Sequence, residues 1–197
     1  MSFEKEKYII VKNAISLELA DHICTEFQLL SDLKHYLHKK TEDEFFWGEK
    51  SAIKSFAWYA PLFGESLLIL LKPVIEEIAN LSLHPAYSFA RIYYPGCELP
   101  VHKDRSSCQF SVSLTLGSLG EIWPLWLKNI HGEDVEINIP KGDMLVYKGC
   151  ELTHWRNPMP DNVIKQYQVF LHYVDISGPF RNYKFDNRPL LGHKSVR

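Results

Sequence analysis

The sequence predicts an α+β domain in which helices pack on one face of a β-sandwich or jelly roll. Two observations support this fold class. Apolar residues recur at helical spacing within residues 1–85, whereas short β-branched and aromatic runs separated by turn signals fill residues 86–177. Helices followed by strands are typical of α+β domains. The length of 197 residues fits a single domain, with an irregular C-terminal segment over residues 178–197.

The first 85 residues are predicted to be mainly helical, after a short β-type run at Tyr8–Val11. Ser16 is a candidate N-cap, because apolar residues follow it at helical spacing, at Ala20, Ile23, Phe27 and Leu30. A second helix is predicted over residues 65–80, and Pro73 should either kink it or begin a new helix there. The charged segment 39–51 is predicted to be a loop.

Strands are predicted over residues 88–94, 108–116, 135–139, 144–147, 152–156 and 165–174. Turn signals such as Pro95-Gly96 and Lys141-Gly142-Asp143 separate them. Strands this short, at this spacing, favour a sandwich or a jelly roll. The segment 178–197 is more apolar than most tails, so we expect it to be ordered and packed along the barrel.

Composition and charge argue against several classes of protein. Lys and Arg total 22 and Asp and Glu total 24, so the net charge of −2 argues against a nucleic-acid partner. The four cysteines are widely spaced, which fits neither a disulfide framework nor a zinc ribbon. The charged N-terminus does not resemble a signal peptide, and the apolar runs are too short to cross a bilayer. We therefore expect a cytoplasmic protein without a membrane partner.

Three residues are candidate metal ligands: His102, Asp104 and His154. In an extended chain, positions i and i+2 point to the same side, so His102 and Asp104 can meet one cation. His154 lies in a strand predicted for the same sandwich. Two neutral imidazoles and one carboxylate on one face of an octahedron suit non-haem Fe(II) and dioxygen. The alternative is that the H-x-D triplet arose by chance and that His154 is a hydrogen-bonded structural histidine.

The order of several short motifs gives a resemblance to a known family. The matching pieces are Phe-Ala-Arg-Ile-Tyr-Tyr-Pro-Gly (89–96), His-Lys-Asp-Arg (102–105), Ser-Val-Ser-Leu (111–114), Lys-Gly-Asp-Met (141–144) and His-Trp-Arg (154–156). In order and spacing they resemble the 2-oxoglutarate-dependent Fe(II) oxygenases, in particular the prolyl-hydroxylase-like and phage-type branch. The resemblance covers about residues 86–175.

The resemblance implies a double-stranded β-helix, which is a cupin-like jelly roll with helices on the outer face of one sheet. It implies that His102, Asp104 and His154 hold Fe(II), that 2-oxoglutarate chelates the metal and that dioxygen takes the remaining position. Decarboxylation of 2-oxoglutarate to succinate would then be coupled to hydroxylation of a substrate C–H bond.

The far carboxylate of 2-oxoglutarate needs a cation or several hydrogen-bond donors in its buried pocket. Family members usually place Arg or Lys about ten residues after the distal histidine, where this chain has Gln166. Strand alternation puts Gln166 on the pocket face and Lys165 on the face under the helices. Arg156 is the replacement candidate, because it shares the inward face with His154; the alternative is a salt bridge at the strand end. Arg91 and Arg105 are weaker candidates.

Other side chains are assigned to the pocket with structural alternatives left open. Tyr94 matches a family tyrosine that often donates to the co-substrate, although it could equally be a core residue. Ser113, in the alternating series Ser111, Ser113 and Thr115, could line the polar pocket. His172 falls on the pocket face and could support the metal ligands. Three tryptophans, Trp123, Trp126 and Trp155, could shape the substrate mouth or belong to the core.

Two other functions stay open at this stage. A cupin-like protein of the same architecture would hold a metal but use no keto acid, which the absence of a basic residue at Gln166 would explain. A non-catalytic jelly-roll binding module would use the histidines only structurally. The hydroxylated substrate, a prolyl residue in a peptide or a small metabolite, is not defined by the sequence, and neither is the oligomeric state.

Overall fold

The computed structural model describes residues 2–38 and 55–193. The helices are α1 (Phe3–Glu6), α2 (Leu17–His38), α3 (Leu62–Leu70) and α4 (Lys72–Ala79). The strands are β1 (Tyr8–Val11), β2 (Ser55–Tyr59), β3 (Leu83–Tyr93), β4 (Leu99–His102), β5 (Phe110–Gly120), β6 (Leu125–Lys128), β7 (Asp134–Ile137), β8 (Met144–Tyr147), β9 (His154–Arg156) and β10 (Val163–Asp175). Two 3-10 helices cover Ser106–Cys108 and Arg181–Asn187.

The strands form two antiparallel sheets that make a jelly roll, which confirms the predicted fold class. The larger sheet has the order β1-β8-β5-β10-β3-β2, and the smaller sheet has the order β4-β9-β6-β7. Consecutive strands in the sequence often lie apart, and β5 sits between β8 and β10, as expected when the chain crosses between two sheets. None of the helices described in the structure is long and apolar enough to cross a membrane.

The helices cover the outer face of the larger sheet. Phe27, Leu68 and Ile75 are buried there against β10 residues such as Val169 and Leu171. Tyr167, Val169, Leu171 and Tyr173 of β10 all lie on this face. Burying this apolar face supplies the main hydrophobic stabilisation of the domain.

The space between the two sheets is only partly apolar. A second core fills one end of it and includes Leu125, Leu127, Leu145 and Leu152. Elsewhere the inner faces of β5 and β10 carry buried polar side chains, namely Ser111, Ser113, Thr115, Gln166, Gln168 and His172. Because burying polar groups is costly unless they are hydrogen-bonded, a polar interior at this position marks a candidate site.

Several elements differ from the sequence prediction. The predicted second helix begins at Leu62 instead of residue 65. Its division into α3 and α4 at Leu71 confirms the alternative that Pro73 begins a new helix, because Pro73 lies in the first turn of α4, where a missing N–H costs nothing. The helix predicted after Ser16 is α2, which extends to His38, and the loop predicted over residues 39–51 lies outside the described ranges. Three strands were not predicted, β2, β4 and β6, all of five residues or fewer.

The C-terminal segment lies against β3 and is fixed by buried charges. The Arg188 guanidinium donates to Glu65 Oε2 at 2.9 Å, and both side chains are buried. Asp186, also buried, accepts two hydrogen bonds from Arg105, at 2.7 and 2.8 Å. The Tyr59 hydroxyl donates to the same carboxylate at 2.6 Å. These contacts hold residues 181–188 beside the chain that carries Asp104.

Candidate metal centre and co-substrate pocket

The pairing of β4 with β9 brings the three predicted metal ligands together. His102 and His154 are register partners across these strands, and Asp104 follows two residues after the end of β4. The Nε2 atoms of His102 and His154 lie 3.7 and 3.6 Å from Asp104 Oδ1. One ligand atom from each residue lies within 4.8 Å of the other two. The three side chains can therefore coordinate one ion.

Both imidazoles are oriented by their own backbone. His102 Nδ1 lies 2.8 Å from the Pro100 carbonyl oxygen, and His154 Nδ1 lies 3.0 Å from that of Leu152. A carbonyl oxygen only accepts, so each Nδ1 carries the proton and each Nε2 is unprotonated and can offer its lone pair to a metal. Such support from a backbone carbonyl is typical of histidines that bind metals.

Asp104 is fixed in position by hydrogen bonds to Ser111 and Gly149. Its Oδ2 atom accepts a hydrogen bond from Ser111 Oγ at 2.7 Å, and its backbone N–H donates to the Gly149 carbonyl at 3.0 Å. Burial alone would raise the pKa of Asp104, but the electrostatic influence of the nearby His154 and His172 imidazoles and the hydrogen bond from Ser111 hold that pKa well below its ordinary value. Burial lowers the pKa of His102, and the proximity of the His154 imidazole lowers it further. These directions favour an anionic carboxylate beside a neutral His102 imidazole, the protonation states that a metal requires.

The centre is open on one side. The side chain of His102 is 36% exposed, whereas those of Asp104 and His154 are 14% and 3% exposed. Tyr147 closes the inner side, with its hydroxyl 3.4 Å from His154 Nε2. A substrate would therefore approach from the side of His102.

Arg156 lies next to this centre, two residues after His154, and is buried. Its Nη1 donates to the Trp123 carbonyl, and its guanidinium lies 5.0 Å from the Trp123 ring and 5.8 Å from the Tyr93 ring. Within residues 2–38 and 55–193, its Nε atom has no hydrogen-bond partner, and no carboxylate forms an ion pair with it. A buried cation without an anion is costly, so this position suits an anionic ligand.

Tyr93, and not Tyr94, faces Arg156. Tyr93 is fully buried, packs edge-on against Trp123 at 5.1 Å between ring centroids, and has a hydroxyl without a partner among the described residues. Tyr94 packs with the helices on the other face, where its ring lies 5.3 Å from Lys165 Nζ. The structure therefore does not bring Tyr94 into the pocket, because successive side chains of an extended strand point to opposite faces. The neighbouring tyrosine takes that place.

Gln166 and Ser113 lie on the pocket face, as strand alternation predicted, but within a closed polar network. Gln166 Oε1 accepts from the Trp123 backbone N–H at 2.8 Å, and its Nε2 donates to Gln168 Oε1 at 3.2 Å. Gln168 Nε2 donates in turn to Ser113 Oγ at 2.9 Å and Thr115 Oγ1 at 3.1 Å. These groups form a satisfied polar wall, and Arg156 supplies its positive charge.

Other candidates have different surroundings. Lys165 turns outward and donates to Gln28 of α2 at 3.1 Å. Arg105 pairs with Asp186, whereas Arg91 lies on the pocket face of β3 and donates to Ser55 Oγ at 3.2 Å. Trp126 and Trp155 are partners in the smaller sheet, with ring centroids 6.3 Å apart, and Trp123 belongs to the pocket wall.

A second set of potential ligands adjoins the first and shares Asp104 with it. Asp104, Cys108 and His172 also have ligand atoms within 4.8 Å of one another. Burial raises the pKa of the Cys108 thiol well above its usual range and lowers that of His172 to about 4. The Cys108 sulfur lies 3.2 Å from the Tyr87 hydroxyl, so it is occupied by a hydrogen bond. Cys108 and His172 therefore lie beside Asp104, on the buried side of the first set.

Comparison with known proteins places this geometry in context. No family model matches the chain, and no curated protein matches it. Solved structures do match, among them a prolyl-4-hydroxylase from Pseudomonas putida, with a TM-score of 0.66 and 13% identity over 88% of this chain and 95% of that one. The α-ketoglutarate-dependent epimerase SnoN of nogalamycin biosynthesis matches with a TM-score of 0.68 and 13% identity, over 99% and 88%. HygX from Streptomyces hygroscopicus, with nickel and 2-oxoglutarate bound, matches with a TM-score of 0.66 and 9% identity, over 89% and 85%.

The chain has the fold of the 2-oxoglutarate/Fe(II) oxygenases. This fold is the double-stranded β-helix, so the architecture predicted from the motifs is confirmed. In this structure, strands β4 and β9 carry the candidate metal centre. The pocket that contains Arg156 lies beside this centre, between the two sheets. The sequence did not predict the place of Tyr93 in the pocket, one residue before Tyr94. It also did not predict the hydrogen bond from Ser111 to Asp104, which depends on long-range strand pairing.

Proposed function

We propose that the protein is a 2-oxoglutarate-dependent Fe(II) dioxygenase that hydroxylates a peptide or small-molecule substrate. The observation that carries this proposal is the convergence of His102 Nε2, His154 Nε2 and a carboxylate oxygen of Asp104 within 4.8 Å. Two imidazoles and one carboxylate, with no further protein ligand, are the donor set of non-haem Fe(II) oxygenases. The fold shared with such enzymes supports the same reaction class.

The residues present fit both Fe(II) and 2-oxoglutarate. His102, Asp104 and His154 would hold the metal, and the buried guanidinium of Arg156 would bind the far carboxylate of 2-oxoglutarate. The hydroxyl of Tyr93, which has no hydrogen-bond partner among residues 2–38 and 55–193, is a further donor for that carboxylate. When bound, iron and the keto acid supply oxidative decarboxylation with dioxygen, giving succinate, carbon dioxide and an oxidised substrate C–H bond.

The chain's own contribution is binding, orientation and exclusion of water. Backbone carbonyls fix the two imidazoles, Ser111 fixes Asp104, and the wall of Gln166, Gln168 and Trp123 closes the inner end of the pocket. The open side at His102 would admit the substrate. The solved structures that share the fold include hydroxylases, an epimerase and a carbocyclase, so hydroxylation is the outcome that we propose and test.

Turnover of 2-oxoglutarate tests the proposal. The protein supplied with Fe(II), dioxygen and 2-oxoglutarate is expected to form succinate, slowly in the absence of the true substrate. Asp104→Ala and His154→Ala should lose both iron binding and succinate formation, because each removes one of three ligands. His131→Ala, at an exposed turn between β6 and β7, serves as the matched histidine control and should keep both.

The outcomes separate this function from its alternatives. Full succinate formation by His154→Ala would contradict the ligand assignment. Binding of iron without any response to 2-oxoglutarate would favour a metal protein of cupin type that uses no keto acid. No binding of Fe(II) at excess metal would favour a non-catalytic binding module.

A further inference from the structure

The two carboxylate oxygens of Asp104 have different surroundings. Oδ1 faces the Nε2 atoms of His102 and His154, at 3.7 and 3.6 Å. Oδ2 faces away from them and lies 2.7 Å from Ser111 Oγ. Oδ1 is therefore the atom available to a metal, and the orientation of the carboxylate depends on what holds Oδ2.

The Ser111 hydroxyl lies within hydrogen-bond distance of three polar groups but carries only one proton. Its hydroxyl oxygen lies 2.7 Å from Asp104 Oδ2, 3.2 Å from the Cys108 carbonyl oxygen and 3.1 Å from His172 Nδ1. A carboxylate and a carbonyl oxygen can only accept, and a serine hydroxyl carries one proton. The short contact to the charged oxygen is the strongest, so Ser111 donates to Asp104. The contact to His172 is then a hydrogen bond only if His172 Nδ1 donates to Ser111.

The ring of His172 is held in place by stacking on neighbouring aromatic rings. It packs on Tyr87, with ring centroids 4.5 Å apart and an interplanar angle of 32°. Tyr87 packs in turn on Tyr59 at 5.3 Å, and the Arg105 guanidinium lies 4.6 Å from the Tyr87 ring. Arg105 is anchored by both oxygens of Asp186. The C-terminal segment thus closes a stack of rings behind the metal centre.

We propose that His172 is a positioning residue that acts through Ser111 to hold Asp104 with Oδ1 turned toward the metal. The order of donation is His172 Nδ1–H to Ser111 Oγ, then Ser111 Oγ–H to Asp104 Oδ2. Hydrogen bonds in such a chain polarise one another in a buried site, so the chain fixes the carboxylate more firmly than Ser111 alone. This inference rests on the proposed metal centre and adds a residue that touches neither metal nor substrate.

Metal affinity measures this role without turnover. We would titrate the purified protein with Co(II), a spectroscopically visible substitute for Fe(II), and record the dissociation constant and the ligand-field spectrum. His172→Phe keeps a ring against Tyr87 but removes the donor, and we expect it to weaken Co(II) binding about 10- to 100-fold. His172→Asn places an amide N–H near the position of Nδ1, so we expect it to restore most of the affinity.

A double-mutant cycle tests whether His172 acts through Ser111. Ser111→Ala is expected to weaken Co(II) binding at least as much as His172→Phe, and the double variant should bind no more weakly than Ser111→Ala alone. Val169→Ala, which removes two methyl groups from the hydrophobic core on the opposite face of β10, is the control for general destabilisation. It should lower the unfolding temperature and leave the Co(II) affinity unchanged.

The outcomes distinguish this inference from the proposed function. Unchanged Co(II) affinity and spectrum in His172→Phe, or losses that add in the double variant, would overturn the role of His172 and leave the metal centre standing. If the wild-type protein bound no Co(II), or if His102→Ala bound Co(II) as tightly as the wild-type protein, both proposals would fail. Nitrogen NMR of the imidazole gives a check that needs no metal. Nδ1 of His172 should carry the proton at neutral pH, and an Nε2–H tautomer would contradict the proposed hydrogen bond from His172 to Ser111.

Discussion

Replacing Gly149 with alanine is expected to abolish metal binding without removing any ligand. A Cβ atom at residue 149 would lie 2.2 Å from Asp104 Oδ2, 2.4 Å from Ser111 Oγ and 2.6 Å from the Cys108 carbonyl oxygen. No side chain accepts contacts this short, and the carbonyl oxygen belongs to the backbone. The Asp104 carboxylate must therefore rotate or shift, and its Oδ1 atom leaves the position that faces the two imidazoles. We expect Co(II) or Fe(II) affinity to fall more than about 100-fold, the upper end for changes around a metal ligand.

A second glycine provides the matched control for this substitution. In Gly117→Ala, the new Cβ would meet the Cys24 sulfur at 3.3 Å and a Tyr167 ring carbon at 4.0 Å, on the helical side of β5. That variant should fold and bind metal with nearly wild-type affinity. The unfolding temperature and a metal titration should be measured on both variants. Tight metal binding by Gly149→Ala would show that Asp104 does not occupy the position described.

Replacing Arg156 with methionine is expected to remove most of the affinity for 2-oxoglutarate. Truncating one partner of a buried charge pair costs about 2–5 kcal/mol, which corresponds to about 30-fold or more in the dissociation constant. Calorimetry of 2-oxoglutarate binding to the anaerobic, metal-loaded protein measures this loss. Metal affinity should stay unchanged, because Arg156 is not one of the three ligands.

The same variant should not destabilise the ligand-free protein. Within the described residues, the guanidinium pairs with no carboxylate, and replacing a buried charge by an apolar side chain of similar length is often neutral or stabilising. The Trp123 carbonyl keeps a donor, since Gln166 Nε2 lies 3.2 Å from it. We expect an unfolding temperature no lower than that of the wild type. Affinity for 2-oxoglutarate within about threefold of wild type would rule out Arg156 as the carboxylate partner.

The sequence predicted those features that depend on local periodicity. Alternation along β10 correctly assigned Gln166 to the inner face and Lys165 to the outer face. Turn signals and β-branched runs identified most of the long strands. The triplet His102-Lys103-Asp104 was informative because two residues spaced by one share a side of an extended chain.

Features that depend on long-range pairing were not predictable in this way. The short strands β4 and β6 have too few residues for a periodic pattern, and they are stabilised by pairing with β9. The choice between Tyr93 and Tyr94 turns on a single residue of register, which β10 fixes by pairing Gln166 with Tyr93. The hydrogen bonds that link His172 through Ser111 to Asp104 connect residues 68 positions apart in the sequence. The residues of the buried ion pair Glu65–Arg188 are still farther apart in the sequence.

The absorption spectrum of the anaerobic protein with Fe(II) and 2-oxoglutarate tests the central claim most directly. Chelation of iron by the keto acid gives a visible metal-to-ligand charge-transfer band. We expect this band in the wild-type protein, saturating at one iron and one 2-oxoglutarate per chain, and we expect it to be absent in His102→Ala. No band at saturating Fe(II) and 2-oxoglutarate, or an equal band in His102→Ala, would contradict the claim that these three residues form an iron centre that binds a keto acid.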